Sequence, residues 1–121
     1  MNIKNRIRSF GYAFKGIALM FHNQPNFCIH LSISVIALSL SYFLELSRAE
    51  FLWIVVAIGM VLSAEIFNTA IEKLTDMVQA NQDPKAAKVK DLAAAGVLVL
   101  AITALSIGLI IFIPRILELL P

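Results

Sequence analysis

A single cysteine, Cys28, occurs in the whole chain, so no internal disulfide can form, and nothing around it has metal-ligand spacing. Charge is scarce as well. Asp, Glu, Lys and Arg make up 15% of the 121 residues while 60% are hydrophobic, a balance that excludes an ordinary soluble domain and leaves a membrane protein. No Walker-type glycine loop, GxGxxG or HRD-like element is present, so neither a P-loop nor a protein-kinase site can be claimed. The basic residues do not interleave with aromatics, which argues against a nucleic-acid groove; contact with lipid headgroups accounts for them better. The basic N-terminal segment leads into no clean apolar core with a small-residue cleavage site, so a removable signal peptide is not expected. Internal repeats and low-complexity tracts are also missing.

What is present fits one compact all-α membrane domain, residues 1–121, with three spanning helices. From residue 3 to about 22, Ile3, Ile7, Phe10, Phe14, Ile17 and Phe21 share one helical face, while Lys4, Arg8 and Lys15 flank it and Tyr12 projects from the opposite side. That pattern predicts an amphipathic helix lying at the membrane surface, with Tyr12 as an interfacial anchor or a nucleotide or partner contact. Gly11 and Gly16 weaken this helix unless something approaches closely there. The segment HNQPNF, residues 22–27, turns the chain into the bilayer at Pro25.

Spans are expected at about 27–46, 51–77 and 85–113. Ser32, Ser34, Ser39 and Ser41 in the first read as packing residues whose hydroxyls bond the preceding turn, and His30 as an interfacial hydrogen-bonding group rather than a base. Ser47 and Glu50 match a capping box at the start of the second span, and Asp83 with Pro84 match an N-cap and first helical residue for the third. Pro114 and Arg115 are expected to end the third, and Ala93 to Gly96 to give it a smooth face for close helix contact. Lys4, Arg6, Arg8 and Lys15 precede the first span, and Lys73, Lys85, Lys88 and Lys90 surround the second link, whereas only Arg48 lies in the first link. By the positive-inside rule the N-terminus and the second link are cytoplasmic.

Within the second span the stretch EIFNTAIEKLTD, residues 65–76, places carboxylates and an amide in an otherwise apolar helix. With Glu65 at zero on a helical wheel, Asn68, Thr69, Glu72 and Asp76 fall at about 300°, 40°, 340° and 20°, so all share one face. Counting about 1.5 Å per residue from Phe51, Glu65 is roughly 21 Å along and Glu72 roughly 31 Å, which leaves the first inside a hydrocarbon layer of about 30 Å and the second at its edge. Such residues can merely cap helices or join them. They can also form a reaction centre in which Glu65 acts on something dissolved in lipid and Glu72 on something dissolved in water. Carboxylates near a lysine and a helix start suit a magnesium-bound polyphosphate, and a deeper carboxylate can take a proton from an alcohol attacking the terminal phosphate.

The run ExxNTAIExxxD, with GYxxKG at residues 11–16, NFxIH at 26–30 and KDxAAAG at 90–96, resembles the small prokaryotic diacylglycerol kinase family, including its undecaprenol kinase branch. The likeness covers nearly the whole chain. It implies a homotrimeric inner-membrane lipid kinase with three spans and a surface helix per subunit, transferring the γ-phosphate of MgATP to a lipid hydroxyl. It further implies that Glu65 is the catalytic base supported by Asn68, that Glu72 binds the metal, and that Lys90 and Asp91 contact ATP. Tyr12 would lie near the nucleotide, and residues Asn81 to Asp83 would line its binding region. Where the family usually has a metal-binding glutamate, this chain has Gln24, whose amide carbonyl can still face Mg2+ but brings no negative charge. Cys28 stands where many relatives carry arginine, which removes a phosphate or headgroup contact. A nucleotide-binding membrane subunit that lost catalysis through Gln24 is one alternative, and an ion-conducting oligomer using the carboxylates as a relay is another.

Overall fold

The computed structural model describes residues 2–121 and consists of four helices: α1 Ile3–Asn23, α2 Pro25–Phe43, α3 Arg48–Val78 and α4 Pro84–Leu117. The last three are long and apolar enough to cross a membrane. Within hydrocarbon every backbone N–H and C=O must find its partner inside the chain, and continuous helices satisfy that locally.

Punctuation between helices follows local chemistry. Gln24 alone separates α1 from α2, with Pro25 in the first turn of α2, where a missing N–H costs nothing. Met20 and Phe27 are buried at this corner, and the rings of Phe21 and Phe27 meet edge to face at 5.7 Å. Beyond the corner α1 stands clear: Ile3, Ile7, Phe10 and Phe14 are each at least two-thirds exposed.

The helix α2 stops at Phe43, short of the expected end of its span. Glu45 takes a left-handed conformation with φ 49°, while the N–H of Leu46 bonds the carbonyl of Ser41 at 3.2 Å and that of Glu45 bonds Tyr42 at 3.2 Å. These are the two bonds of a Schellman stop. The expected capping box follows: the Glu50 N–H donates to Ser47 Oγ at 3.2 Å and the Ser47 N–H to Glu50 Oε2 at 2.7 Å. At the other link Asp83 Oδ1 accepts from the N–H groups of Lys85 at 2.7 Å and Ala86 at 3.1 Å, so the expected N-cap is present too.

One expectation for α4 is corrected. The helix runs through Pro114 to Leu117. Proline removes only one bond of the last turn, and Arg115 holds that turn by donating from Nε and Nη2 to the two carboxylate oxygens of Glu50, at 3.2 and 2.7 Å. Glu50 thus caps α3 and clamps the end of α4. Within the single chain most of the Ala93 to Gly96 run stays uncovered. Ala94, Ala95 and Gly96 are exposed and a Cβ on Gly96 would meet nothing within 4 Å. The half-buried face of α4 runs instead through Ala93, Val97, Ala101, Ala104 and Gly108 to buried Ile111. Gly11 and Gly16 likewise have no close neighbour.

The core is one stripe of α3. Ile54, Ala57 and Val61 are buried at intervals of three and four residues, and the same stripe continues as Glu65 and Thr69. Because lipid tails are as apolar as these side chains, close packing rather than expulsion of water holds α2 and α4 against it. All four serines of α2 bond the carbonyl four residues back, as expected, with Ser34 and Ser41 at 2.7 Å and both buried.

Replacing Glu45 by glycine relieves the left-handed strain and is expected to stabilise the protein by about 1 kcal/mol. Unfolding in mixed detergent micelles measures it, and an unchanged midpoint refutes it. The amides of Ala86 and Lys85 hold the Asp83 carboxyl below its ordinary value of 3.8. The stability this gives is therefore full above that ordinary value and lost as pH falls through the lower folded one. Amide exchange at Lys85 and Ala86 should accelerate over that acid range in the native chain, and Asp83→Asn should abolish this pH dependence while keeping a cap.

Candidate functional site

The polar continuation of the α3 stripe makes three contacts in succession. Glu65 is only 4% exposed, and its Oε1 lies 3.1 Å from Nε2 of His30 on α2. One turn on, Asn68 donates from Nδ2 to Glu72 Oε1 at 3.1 Å. At the end of the helix Asp76 pairs with Lys90 of α4. At about 1.5 Å per residue the three steps extend over roughly 16 Å, from the interior toward the α3–α4 link.

Between the two glutamates two polar atoms are left over. Asn68 Oδ1 and Thr69 Oγ1 are buried without a hydrogen-bond partner. Thr69 is 5% exposed and does not bond the preceding turn, although Thr75 and Thr103 both do, at 2.8 and 2.9 Å. A buried hydroxyl without a partner costs about 1–3 kcal/mol.

Two cavities flank this ladder. An apolar groove of about 510 Å³ lies between α2, α3 and α4, from His30 and Val61 at one end to Ile113 and Ile116 at the other. A more polar cavity of about 590 Å³ lies over the link, lined by Asp76, Asn81, Asp83 and Lys90 among others. The structure thus gathers Asn81, Asp83 and Lys90 around one space, with Asp76 beside them. Asp91 is exposed and does not line it. Tyr12 is exposed on α1, its ring 5.8 Å from the Lys15 ammonium. Gln24 is half-buried at the α1–α2 corner, and among the described residues no hydrogen bond joins its side chain to Glu72.

No group of three or more His, Cys, Asp or Glu side chains converges among the described residues. The Glu72 carboxylate and the unpartnered Asn68 carbonyl are nevertheless hard oxygen donors. They fit a magnesium ion that keeps several waters and is shared with phosphate oxygens, and do not by themselves make a closed protein cage.

His30 is the residue whose partner sequence reading did not name: it stands beside the buried carboxylate of Glu65. The available signal was electrical: one imidazole and one carboxylate each sit inside an apolar span with no local partner.

Three membrane-length helices, with a shielded carboxylate–imidazole contact between two of them and a polar rim further along, define a multi-pass membrane protein. The chain belongs to the prokaryotic diacylglycerol kinase family, whose sequence pattern matches residues 11–112 and so includes every candidate residue named above. That membership makes it a membrane lipid kinase. It is 36% identical over 108 residues to the undecaprenol kinase of Bacillus subtilis (strain 168), covering 89% of this chain and 88% of that one. It is 32% identical over 116 residues to a diacylglycerol kinase of Synechocystis, covering 95% of this chain and 66% of that one. Against the diacylglycerol kinase of Escherichia coli (strain K12) identity is 24% over 98 residues, with 81% and 80% covered.

Removing the Thr69 hydroxyl without changing its shape should relieve an unmet bond, so Thr69→Val is expected to raise stability by about 1 kcal/mol. Detergent unfolding checks this. Lowered stability would show that the hydroxyl has a partner in the assembled protein.

Proposed function

We propose that this lipid kinase transfers the γ-phosphate of MgATP to the hydroxyl of a membrane lipid, diacylglycerol or undecaprenol, with Glu65 as general base. The observation that carries the reading is the placement of a shielded carboxylate whose partner, His30, lines one end of an apolar groove. A lipid tail fits such a groove and brings its hydroxyl to the carboxylate. As the alcohol oxygen bonds to the γ-phosphorus, the bond from that phosphorus to the departing ADP breaks and the hydroxyl proton passes to Glu65.

Glu72 on its ladder, with Asn68 beside it, faces the phosphates, and Gln24 supplies a neutral oxygen as a second metal ligand. Held by these residues, a magnesium ion would offset the charge of the phosphates. Lys90, Asn81 and Asp83 line the space for the nucleotide, and Tyr12 and Asp91 contact it from outside that wall. One subunit leaves Tyr12 and Asp91 apart from the cavity, which supports a homotrimer with sites completed between subunits. Charge distribution supports an inner-membrane orientation with the N-terminus and the α3–α4 link in the cytoplasm.

Purified protein in lipid should consume ATP only when a lipid alcohol is supplied, and Glu65→Gln should reduce turnover by about 10²- to 10⁴-fold without dissociating the oligomer. Radiolabelled ATP with the two alcohols side by side measures both points. A Glu65→Gln variant within tenfold of the native rate would remove Glu65 as the base, and equal ATP consumption without any alcohol would remove the lipid as acceptor.

A further inference from the structure

We infer that His30 is a positioning residue for phosphoryl transfer: its imidazole, with Nε2 3.1 Å from one oxygen of Glu65, restrains that oxygen and leaves the other for the hydroxyl of the lipid. The inference rests on the reading of Glu65 as base. Its own warrant is geometric. Glu65 is 4% exposed and His30 Nε2, at 3.1 Å, is its polar partner among the described residues. A buried carboxylate oxygen stays against the polar group beside it, because leaving it unpaired in an apolar span is costly. The plane of the carboxylate is thereby restrained, and the second oxygen is aimed rather than free to turn.

The contact joins two spans, so it also fixes where α2 stands against α3. The His30 carbonyl is held in turn by Ser34 Oγ at 2.7 Å, which anchors the backbone that carries the imidazole. Because the imidazole also borders the apolar groove, a lipid lying there brings its hydroxyl to the place where the aimed oxygen waits.

Few other charges compete for this role. On α2 the remaining titratable groups are Cys28, whose Sγ donates to the Phe21 carbonyl at 3.7 Å, and Tyr42 near the far end. On α3 the next is Glu72, two turns away and bonded to Asn68. The helix α4 carries none between Asp91 and Arg115, and His22 at the end of α1 is exposed.

Three variants test the assignment. His30→Gln keeps an N–H donor at nearly the same reach, and His30→Asn keeps the amide but falls short of Glu65. His30→Leu removes the donor altogether. Turnover should fall about 100-fold in the Leu and Asn variants with the ATP KM nearly unchanged, and return to within about tenfold of native in the Gln variant. Equal activity in Gln and Asn, both of which keep a polar side chain and fold alike, would overturn the inference even if Leu disrupts assembly. Glu65→Gln measured alongside separates this outcome from failure of the base assignment, since its inactivity stands whatever His30 does.

Discussion

One helical stripe governs this molecule. Along α3 the residues that face the neighbouring helices change from Ile54, Ala57 and Val61 to Glu65 and Thr69 without leaving the stripe. The packing that shields the aliphatic side chains therefore shields the carboxylate as well, and the acid must find a polar neighbour within the bundle. His30 meets that requirement from α2. Had Glu65 been one residue earlier or later, it would have faced away by about 100° and lost this contact.

The same continuity sets up a gradient of polarity. Glu65 is enclosed, Glu72 is half-buried with an amide partner, and Asp76 meets Lys90 in the open. A phosphoryl transfer from a water-soluble donor to a lipid-soluble acceptor needs such an arrangement, because no single environment suits both substrates. The short protein achieves it with a helix of 31 residues, long enough to pass from hydrocarbon into water. The relatives named as kinases of diacylglycerol and of undecaprenol share a chain of this kind, and the apolar groove beside His30 is compatible with either tail.

Features decided within a few residues were legible in the sequence. The Ser47–Glu50 capping box, the Asp83–Pro84 helix start, the turn at Pro25 and the back-bonded serines all follow from neighbours along the chain. The shared face of Glu65, Asn68, Glu72 and Asp76 was legible for the same reason. The partners of those residues were not, because helical periodicity says nothing about how far one helix slides past another. That is why His30 was read without Glu65 as its neighbour, and why α4 was expected to stop at Pro114, where the distant carboxylate of Glu50 holds the turn beyond it. The Ala93 to Gly96 run was ambiguous in a related way. Small side chains show that a neighbour can come close; within the chain the covered side is the face of Ala93, Val97 and Ala101, and the rest of the run stays open.

The two ends of the α3–α4 pair are fastened unequally. At the α2–α3 turn Glu50 is tied into its own helix start and gripped on both oxygens by Arg115, with Glu118 a further 3.8 Å from the same guanidinium. At the opposite end the chain itself passes from one helix to the other through residues 79–83, beside the Lys90–Asp76 contact. A covalent tether thus keeps the rim around Asp76 and Lys90 together, whereas the far ends of the same two helices stay in register only as long as the Glu50 carboxylate is there to be gripped.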